Sequence, residues 1–445
     1  FNEPPTTEIY PRSLVGSVQM CIRDSSGMVG QPTTRRDEVR ELGRLGLAEL
    51  ARATRGIAAV HRSVSGTVFG GLARTPLRPW TEPSHTTHDA ISEGIYDALA
   101  SGLDSAARVA ESVLDAPGRA PSSTSRGAQA IGVLNGLIGD ELEATGSVLA
   151  GRMGIRVEGD DVPVTSAGLA TAFPDATGHV VVFLHGLMET EYAWRRKDRA
   201  TYGRRLQSDI GATPVFLRYN TGRHISDNGR ELSALLTRVV LLWPTPVTSL
   251  TLIGHSMGGL VIRSACYAAE ENGAPWLSKL RHTVSLGTPH LGAPLARGVH
   301  MSTAALRFTP VTRPFGEFLR RRSAGVRDLF HGNLIDDDWR WAEPDVLRQK
   351  PGAAIPLVEG VRHLYATASV TRDPRHPLGR IVGDGLVLTP SGRGEGRARR
   401  VGFRVDDGLH LGGAHHFTLL NSEVIYRWLC EHLRPRPQLP VGRSA

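Results

Sequence analysis

Two different periodicities divide the chain near residue 150. Before it, apolar residues recur at the spacing of amphipathic helices, in segments marked by Val39, Ile91 and Ile131. After it, short apolar runs alternate with longer amphipathic stretches, which is typical of a mostly parallel sheet with helices on both faces. The apolar runs are Val180–Leu184, Val215–Tyr219, Ser249–Ile253, His282–Leu286 and Val361–Ala366, and the amphipathic stretches are Tyr202–Ile210, Ser226–Trp243 and Met257–Glu271.

These patterns predict a domain organisation. We expect a helical N-terminal region over residues 28–150, an α/β domain over 151–435 and a tail over 436–445. Residues 1–27 are expected to be a non-native leader, because RSLVGSVQMCIRDS resembles a translated sequencing adapter and lacks the apolar core of a signal peptide.

Composition narrows the functional classes. The chain is 40% hydrophobic and 22% charged, as in ordinary globular proteins, and no apolar run reaches the length of a membrane span. The three cysteines form neither a disulfide framework nor a CxxC zinc pair, which favours a reducing compartment. The net charge is +8, but the basic clusters are short and no nucleic-acid module is present. We therefore expect a cytoplasmic protein with no nucleic-acid partner, whose N-terminal region is a candidate for peripheral membrane contact; the oligomeric state stays open.

The first candidate for chemistry lies where an apolar strand runs into the sequence GHSMG at Gly254–Gly258, followed by a helical stretch. A serine on such a strand–turn–helix junction is a nucleophile elbow. Gly254 and Gly258 let strand and helix approach closely, and His255 completes the turn. Ser256 is then held above the edge of the sheet at the N-terminus of the helix, so it is the predicted nucleophile.

A serine hydroxyl needs a base and an acid that orients the base, and in this arrangement they follow in the order Asp or Glu, then His. Asp384 lies between two glycines in a loop after the strand Val361–Val370, and His415 and His416 precede a C-terminal helix. Either histidine fits the spacing. The other carboxylates are Asp336–Asp338 and Asp406–Asp407, and the histidines expected to be structural are His290 and His410.

The strand Val180–Leu184 ends in His185-Gly186, which predicts a loop that supplies backbone N–H groups to an oxyanion. We assign the two donors to Leu187 and Met257. His185 is expected to orient this loop and not to transfer protons.

The motifs together resemble bacterial esterase/lipases of the α/β-hydrolase superfamily, with a hydrolase domain similar to that of GPI inositol-deacylases. They are HGL at 185–187, GHSMGG at 254–259, LGTPHLG at 286–292, GDGLV at 383–387 and HFTLL at 416–420. The resemblance covers residues 153–435 and implies the α/β-hydrolase fold. In that family the base begins the pattern H-x-x-L-L, which favours His416 over His415. The resemblance also implies that the insertion at about 296–345 is lid-like.

The sequence therefore predicts a serine esterase or lipase that acts on lipid or other acyl esters through Ser256, Asp384 and His416 and an acyl-enzyme intermediate. This chemistry requires neither a metal nor an organic cofactor. Two alternatives remain: an acyltransferase that uses the same three residues, and a non-catalytic protein that binds lipid or membrane through its N-terminal region.

Overall fold

The computed structural model describes residues 34–45, 119–195, 199–293, 323–340, 352–373 and 382–434, with the single residues 101 and 376. Its strands are β1 Gly154–Val157, β2 Asp160–Val162, β3 His179–Leu184, β4 Thr213–Arg218, β5 Ser249–His255, β6 Leu280–Leu286, β7 Arg362–Ser369 and β8 Gly408–Gly412. They form a sheet in the order β2-β1-β4-β3-β5-β6-β7-β8. Strands β3 to β8 are all parallel to one another. β1 and β2 form an antiparallel hairpin at one side of the sheet, where β1 pairs with β4. The carboxyl ends of β3, β5, β6, β7 and β8 therefore meet at a single edge.

Helices flank this sheet. They are α1 Arg35–Arg44, α2 Ser125–Ala144, α3 Ser166–Ala172, α4 Tyr202–Ile210, α5 Ile225–Leu242, α6 Met257–Asn272, α7 Ala324–His331, α8 Thr389–Gly392 and α9 Glu423–Leu433. Short 3-10 helices span Pro121–Ser123, Glu191–Trp194, Pro275–Lys279, Asp336–Asp338, Val405–Asp407 and His416–Leu420. The amphipathic stretches predicted from the sequence correspond to α4, α5 and α6 within one residue at each end.

Alternate residues of β3 serve the two faces of the sheet. Val180 and Val182 belong to the apolar core beneath α5 and α6, and Val181 and Phe183 belong to the core beneath α4 and α9. All four are at most 1% exposed. Burial of each such side chain contributes roughly 1.5–3 kcal/mol, so covering both faces accounts for the continuous apolar run of this strand.

The N-terminal helix α2 packs directly on loops of the α/β domain. A Cβ atom at Gly132 would lie 2.8 Å from Thr190 Cγ2, and one at Gly139 would lie 1.9 Å from Asn220 Oδ1. Asn220 also donates a hydrogen bond to the Gly139 carbonyl at 2.8 Å. The small residues of α2 thus allow the helix backbone to approach the loops that follow β3 and β4.

Several predicted segments lie wholly or largely outside the described residues: the leader 1–27, the apolar segment that begins at Ile91, most of the insertion at 296–345 and the tail 436–445. Of the insertion, residues 323–340 are described and contain α7. None of the helices in the described ranges combines the length and apolar character that crossing a bilayer requires.

Candidate active site

Ser256 occupies the turn between β5 and α6. Its backbone has φ 51° and ψ −119°, in the positive-φ region that non-glycine residues rarely adopt. Its N–H donates a hydrogen bond to the carbonyl of Leu286, the last residue of β6, at 2.9 Å. The turn is thus a strained elbow held from the neighbouring strand, a conformation that persists only where the surroundings impose it.

The glycines beside Ser256 permit this geometry. A Cβ atom at Gly254 would lie 2.4 Å from the backbone nitrogen of Gly259, and one at Gly258 would lie 2.6 Å from the Leu184 carbonyl oxygen. Any side chain at either position would therefore collide with backbone, which is the close approach of strand and helix expected from the sequence.

Asp384 and His416 form a buried pair. The imidazole Nδ1 of His416 lies 2.8 Å from Oδ2 of Asp384, and the two residues are 2% and 1% exposed. The other carboxylate oxygen accepts hydrogen bonds from the N–H groups of Leu386 and Val387 at 2.9 and 2.7 Å. The backbone N–H of His416 also donates to the Asp384 carbonyl at 2.9 Å. Because an ionised carboxylate only accepts hydrogen bonds, it favours a proton on Nδ1 and leaves Nε2 as the basic nitrogen.

This pair lies beside the elbow. The ring of His255, the residue before Ser256, is 4.7 Å from the ring of His416 between centroids. A Cβ atom at Gly287, next to the Leu286 that anchors Ser256, would lie 3.0 Å from Cε1 of His416. The fold thus brings the predicted nucleophile, acid and base to one edge of the sheet. His415 is exposed, and it is His416 that contacts Asp384.

Four of the other candidate side chains have partners of a structural kind. Asp336 and Asp407 form ion pairs with arginine side chains at 2.9 and 2.7 Å. Asp338 accepts hydrogen bonds from backbone N–H groups. His410 contacts two hydroxyl groups, at 2.9 and 3.1 Å. None of these contacts involves Ser256.

In the loop after β3, the N–H group of Leu187 is available, while those of its neighbours on both sides are engaged. The Gly186 N–H donates to Oε2 of Glu189 at 2.8 Å, the Met188 N–H to Oγ1 of Thr221 at 3.2 Å, and the Glu189 N–H to the Gly186 carbonyl at 3.2 Å. Across the described residues, no hydrogen bond to a protein acceptor uses the N–H of Leu187.

The N–H of Met257 is likewise uncommitted within the described ranges, because Met257 is the first residue of α6. A Cβ atom at Gly186, which precedes Leu187, would lie 3.1 Å from Cβ of Ser256. Leu187 and Met257 therefore carry available donors in the two segments that meet at the candidate nucleophile.

His185 holds the loop in place. Its Nε2 accepts a hydrogen bond from the Tyr219 N–H at 3.3 Å, so its Nδ1 donates to the Gly186 carbonyl at 2.9 Å. Its ring stacks on that of Tyr219 with centroids 4.4 Å apart. Burial lowers the pKa of His185 to about 4, so the ring is neutral near pH 7. These contacts agree with an orienting role.

Sequence reasoning missed Glu189. Its Oε2 lies 2.9 Å from Nδ1 of His255 as well as 2.8 Å from the Gly186 nitrogen. Burial raises the pKa of Glu189, but the charge of His255 and its hydrogen bond outweigh that effect and hold the pKa at about 2. The sequence offered one indication of Glu189: an acidic residue within a few positions of the end of a buried strand, where its carboxylate needs a partner.

No metal site accompanies these residues in the described ranges, where no three His, Cys, Asp or Glu side chains converge.

Residues 175–308 match the family described as the PGAP1-like alpha/beta domain. No curated protein sequence matches the chain significantly. Among solved structures, the mature Bacillus licheniformis lipase BlEst2 is 17% identical, with a TM-score of 0.36, over 64% of this chain and 97% of the lipase. An esterase from the archaeon Pyrobaculum calidifontis is 13% identical, with a TM-score of 0.32, over 57% of this chain and 74% of the esterase. These likenesses are too distant to indicate a substrate.

The PGAP1-like domain is a hydrolase family, so the match confirms the resemblance found in the sequence motifs. The parallel sheet with helices on both faces likewise confirms the predicted fold class. The family match supports an enzyme that hydrolyses ester bonds.

Proposed function

We propose that this protein is a serine carboxylic-ester hydrolase that acts on lipid or other acyl esters. The observation that carries the proposal is the buried contact between Asp384 and His416, at 2.8 Å, beside a serine held at positive φ. An aspartate and a histidine at the surface would not need to be buried against one another. A serine in an ordinary turn would adopt a negative φ.

The proposed reaction uses five groups. Ser256 Oγ attacks the ester carbonyl while Nε2 of His416 takes its proton and returns it to the leaving alcohol. Asp384 keeps the imidazole in the required tautomer and stabilises the imidazolium that forms. The N–H groups of Leu187 and Met257 donate to the developing oxyanion, and removing one such donor typically raises the barrier by about 3–4 kcal/mol. Water activated by His416 then hydrolyses the acyl-enzyme.

The test is hydrolysis of p-nitrophenyl esters from short to long acyl chains by the wild type and by Ser256→Ala and His416→Ala variants. His415→Ala is the matched control, because His415 is the adjacent histidine but is exposed. We expect both site variants to lose several orders of magnitude in kcat, as when members of such a triad are removed elsewhere, and the control to retain wild-type activity. The dependence of kcat/KM on acyl length separates an esterase from a lipase.

Two outcomes would favour the alternatives. Transfer of the acyl group to an added alcohol, in excess over hydrolysis, would indicate an acyltransferase that uses the same residues. A wild type inert on every ester would contradict the proposed hydrolase and favour a lipid-binding role. The cytoplasmic location and peripheral membrane contact stay predictions; salt-sensitive binding of the full chain to anionic vesicles would support the latter.

A further inference from the structure

One carboxylate joins the two halves of the candidate site. The loop after β3 carries Leu187, and the elbow after β5 carries Ser256. The pairing of β3 with β5 ends at Leu184 and Gly254, before either segment, and the Ser256 N–H bonds to β6 and not to β3. Glu189 contacts both. Its Oε2 accepts the Gly186 N–H at 2.8 Å and lies 2.9 Å from Nδ1 of His255. The two donors share a single acceptor oxygen, so this oxygen fixes the loop relative to the elbow.

The packing around this contact leaves little freedom. A Cβ atom at Gly186 would lie 2.9 Å from Oε2 of Glu189, 3.1 Å from Nδ1 of His255 and 3.1 Å from Cβ of Ser256. The carboxylate, the imidazole and the serine therefore surround one glycine at contact distance. A shift of Glu189 would move Gly186, and with it the adjacent N–H of Leu187.

The charge of Glu189 has a definite consequence. With a pKa near 2 the side chain is ionised at neutral pH and only accepts hydrogen bonds, so Nδ1 of His255 carries the proton that they share. The second oxygen, Oε1, is buried and has no hydrogen-bond partner among the described residues. Leaving a buried acceptor unpaired costs free energy, and the cost is greater for a charged group. A side chain that served stability alone would not be expected to bear this cost.

Glu189 is also separate from the proposed proton relay. Nδ1 of His416 is engaged by Asp384 at 2.8 Å, so Glu189 has no place as the acid that orients the base. Its carboxylate instead accepts a hydrogen bond from the N–H of Gly186, the residue before Leu187.

We propose that Glu189 is a positioning residue for ester hydrolysis: through Gly186 and His255 it holds the Leu187 N–H at the correct place relative to Ser256. The proposal rests on the proposed hydrolase function. Displacement of a catalytic group by about 1 Å can cost about 10²-fold in rate, so the effect is large enough to measure.

The experiment compares Glu189→Gln and Glu189→Ala in the full chain, using a p-nitrophenyl ester that the wild type hydrolyses. Alanine removes both contacts. Glutamine keeps an oxygen that accepts a hydrogen bond but loses the charge, so it should rescue part of the activity. We expect kcat to fall about 100-fold for Glu189→Ala and about 10-fold for Glu189→Gln, with KM within about threefold of wild type. The loss should fall on kcat and not on KM, because the Leu187 N–H contributes when the oxyanion forms.

The matched control is Asp407→Asn. Asp407 is another buried carboxylate, paired with Arg362 at 2.7 Å, but it precedes β8 at the opposite edge of the sheet. It should lower Tm and leave kcat unchanged. If Glu189→Ala does not fold, Glu189→Gln carries the comparison.

The outcomes separate the two proposals. An active wild type whose Glu189 variants keep kcat within threefold, or become faster, would overturn the positioning role alone. A loss confined to KM would also overturn it in favour of substrate binding. A wild type inert on all esters while it fails to react with a phosphonate inhibitor at Ser256 would overturn the hydrolase and the positioning role together.

Discussion

Gly136 of α2 lies directly against Met188 in the loop after β3. A Cβ atom at Gly136 would be 2.2 Å from Cγ of Met188 and 3.1 Å from its Cα. Met188 has a φ of 60°, a positive value that non-glycine residues rarely adopt. It directly follows Leu187, whose N–H is uncommitted. Helix α2 thus packs closely against the loop that carries a proposed oxyanion donor. This packing restricts the conformations that the loop can adopt and helps to maintain its strained backbone.

Gly136→Ala should therefore impair catalysis from a helix outside the α/β domain. The methyl group cannot fit unless Met188 moves, and we expect kcat to fall about 10-fold, since small displacements of catalytic groups are costly. Overpacking should lower the free energy of unfolding by about 1–3 kcal/mol. Ester kinetics and urea unfolding measure the two effects. Gly43→Ala in α1 is the control, because a Cβ there meets nothing within 4 Å; equal kcat losses in both variants would contradict this prediction.

Ser256→Gly should stabilise the protein while it abolishes activity. Positive φ at a non-glycine residue costs about 1–3 kcal/mol, and glycine relieves that strain. Thermal unfolding would show a higher Tm for Ser256→Gly than for wild type. Ser256→Ala also lacks the hydroxyl but keeps the strain, so it should show no comparable gain. Identical Tm values for the two variants would indicate that the elbow stores no strain.

Asp384→Asn should leave the fold intact and remove most of the activity. The asparagine amide can present its NH₂ group to Nδ1 of His416, which favours the wrong imidazole tautomer; a comparable change in a serine–histidine–aspartate enzyme lowers kcat about 10⁴-fold. Asp336→Asn, at a partly exposed carboxylate paired with Arg230, should retain wild-type kcat. Retention of more than a tenth of the activity by Asp384→Asn would exclude Asp384 as the acid.

Acid should weaken the fold through histidines that are buried in the neutral form. Burial lowers the pKa of His185, and of His282, from 6.5 to about 4. The unfolded chain binds these protons near pH 6.5 and the folded chain only near pH 4. The free energy of unfolding therefore falls as the pH is lowered through that window, by at most about 1.4 kcal/mol per pH unit for each such proton. Glu189, with a pKa held at about 2, adds a loss at lower pH, from about 4.5 down to 2.

Urea unfolding at intervals between pH 7 and pH 4.5 tests this window. His282→Gln should make the slope shallower than that of the wild type, by less than the full value for one proton because His282 is partly exposed. Stability that is constant over this range would contradict the depressed histidine pKa values.

Local sequence was enough to predict the fold class and the elbow. The apolar runs became β3 to β7, and the elbow lay where a strand ended in Gly-x-Ser-x-Gly, because both depend on residues within a few positions of one another. The carboxyl edge of a parallel sheet is likewise a consequence of topology that the strand–helix alternation already implies. Catalytic roles were not settled at that level and stay proposals.

Tertiary structure decided which distant groups meet. Asp384 and His416 are 32 residues apart in the chain, and their contact depends on how the loops after β7 and β8 close over the sheet edge. Nothing in the sequence near Glu189 indicated that it would bind His255, 66 residues away, or that α2 would press on Met188. The physical reason is that hydrophobic periodicity reports which face of an element is buried. Which polar group pairs with which is fixed only when packing places both in the same water-poor space.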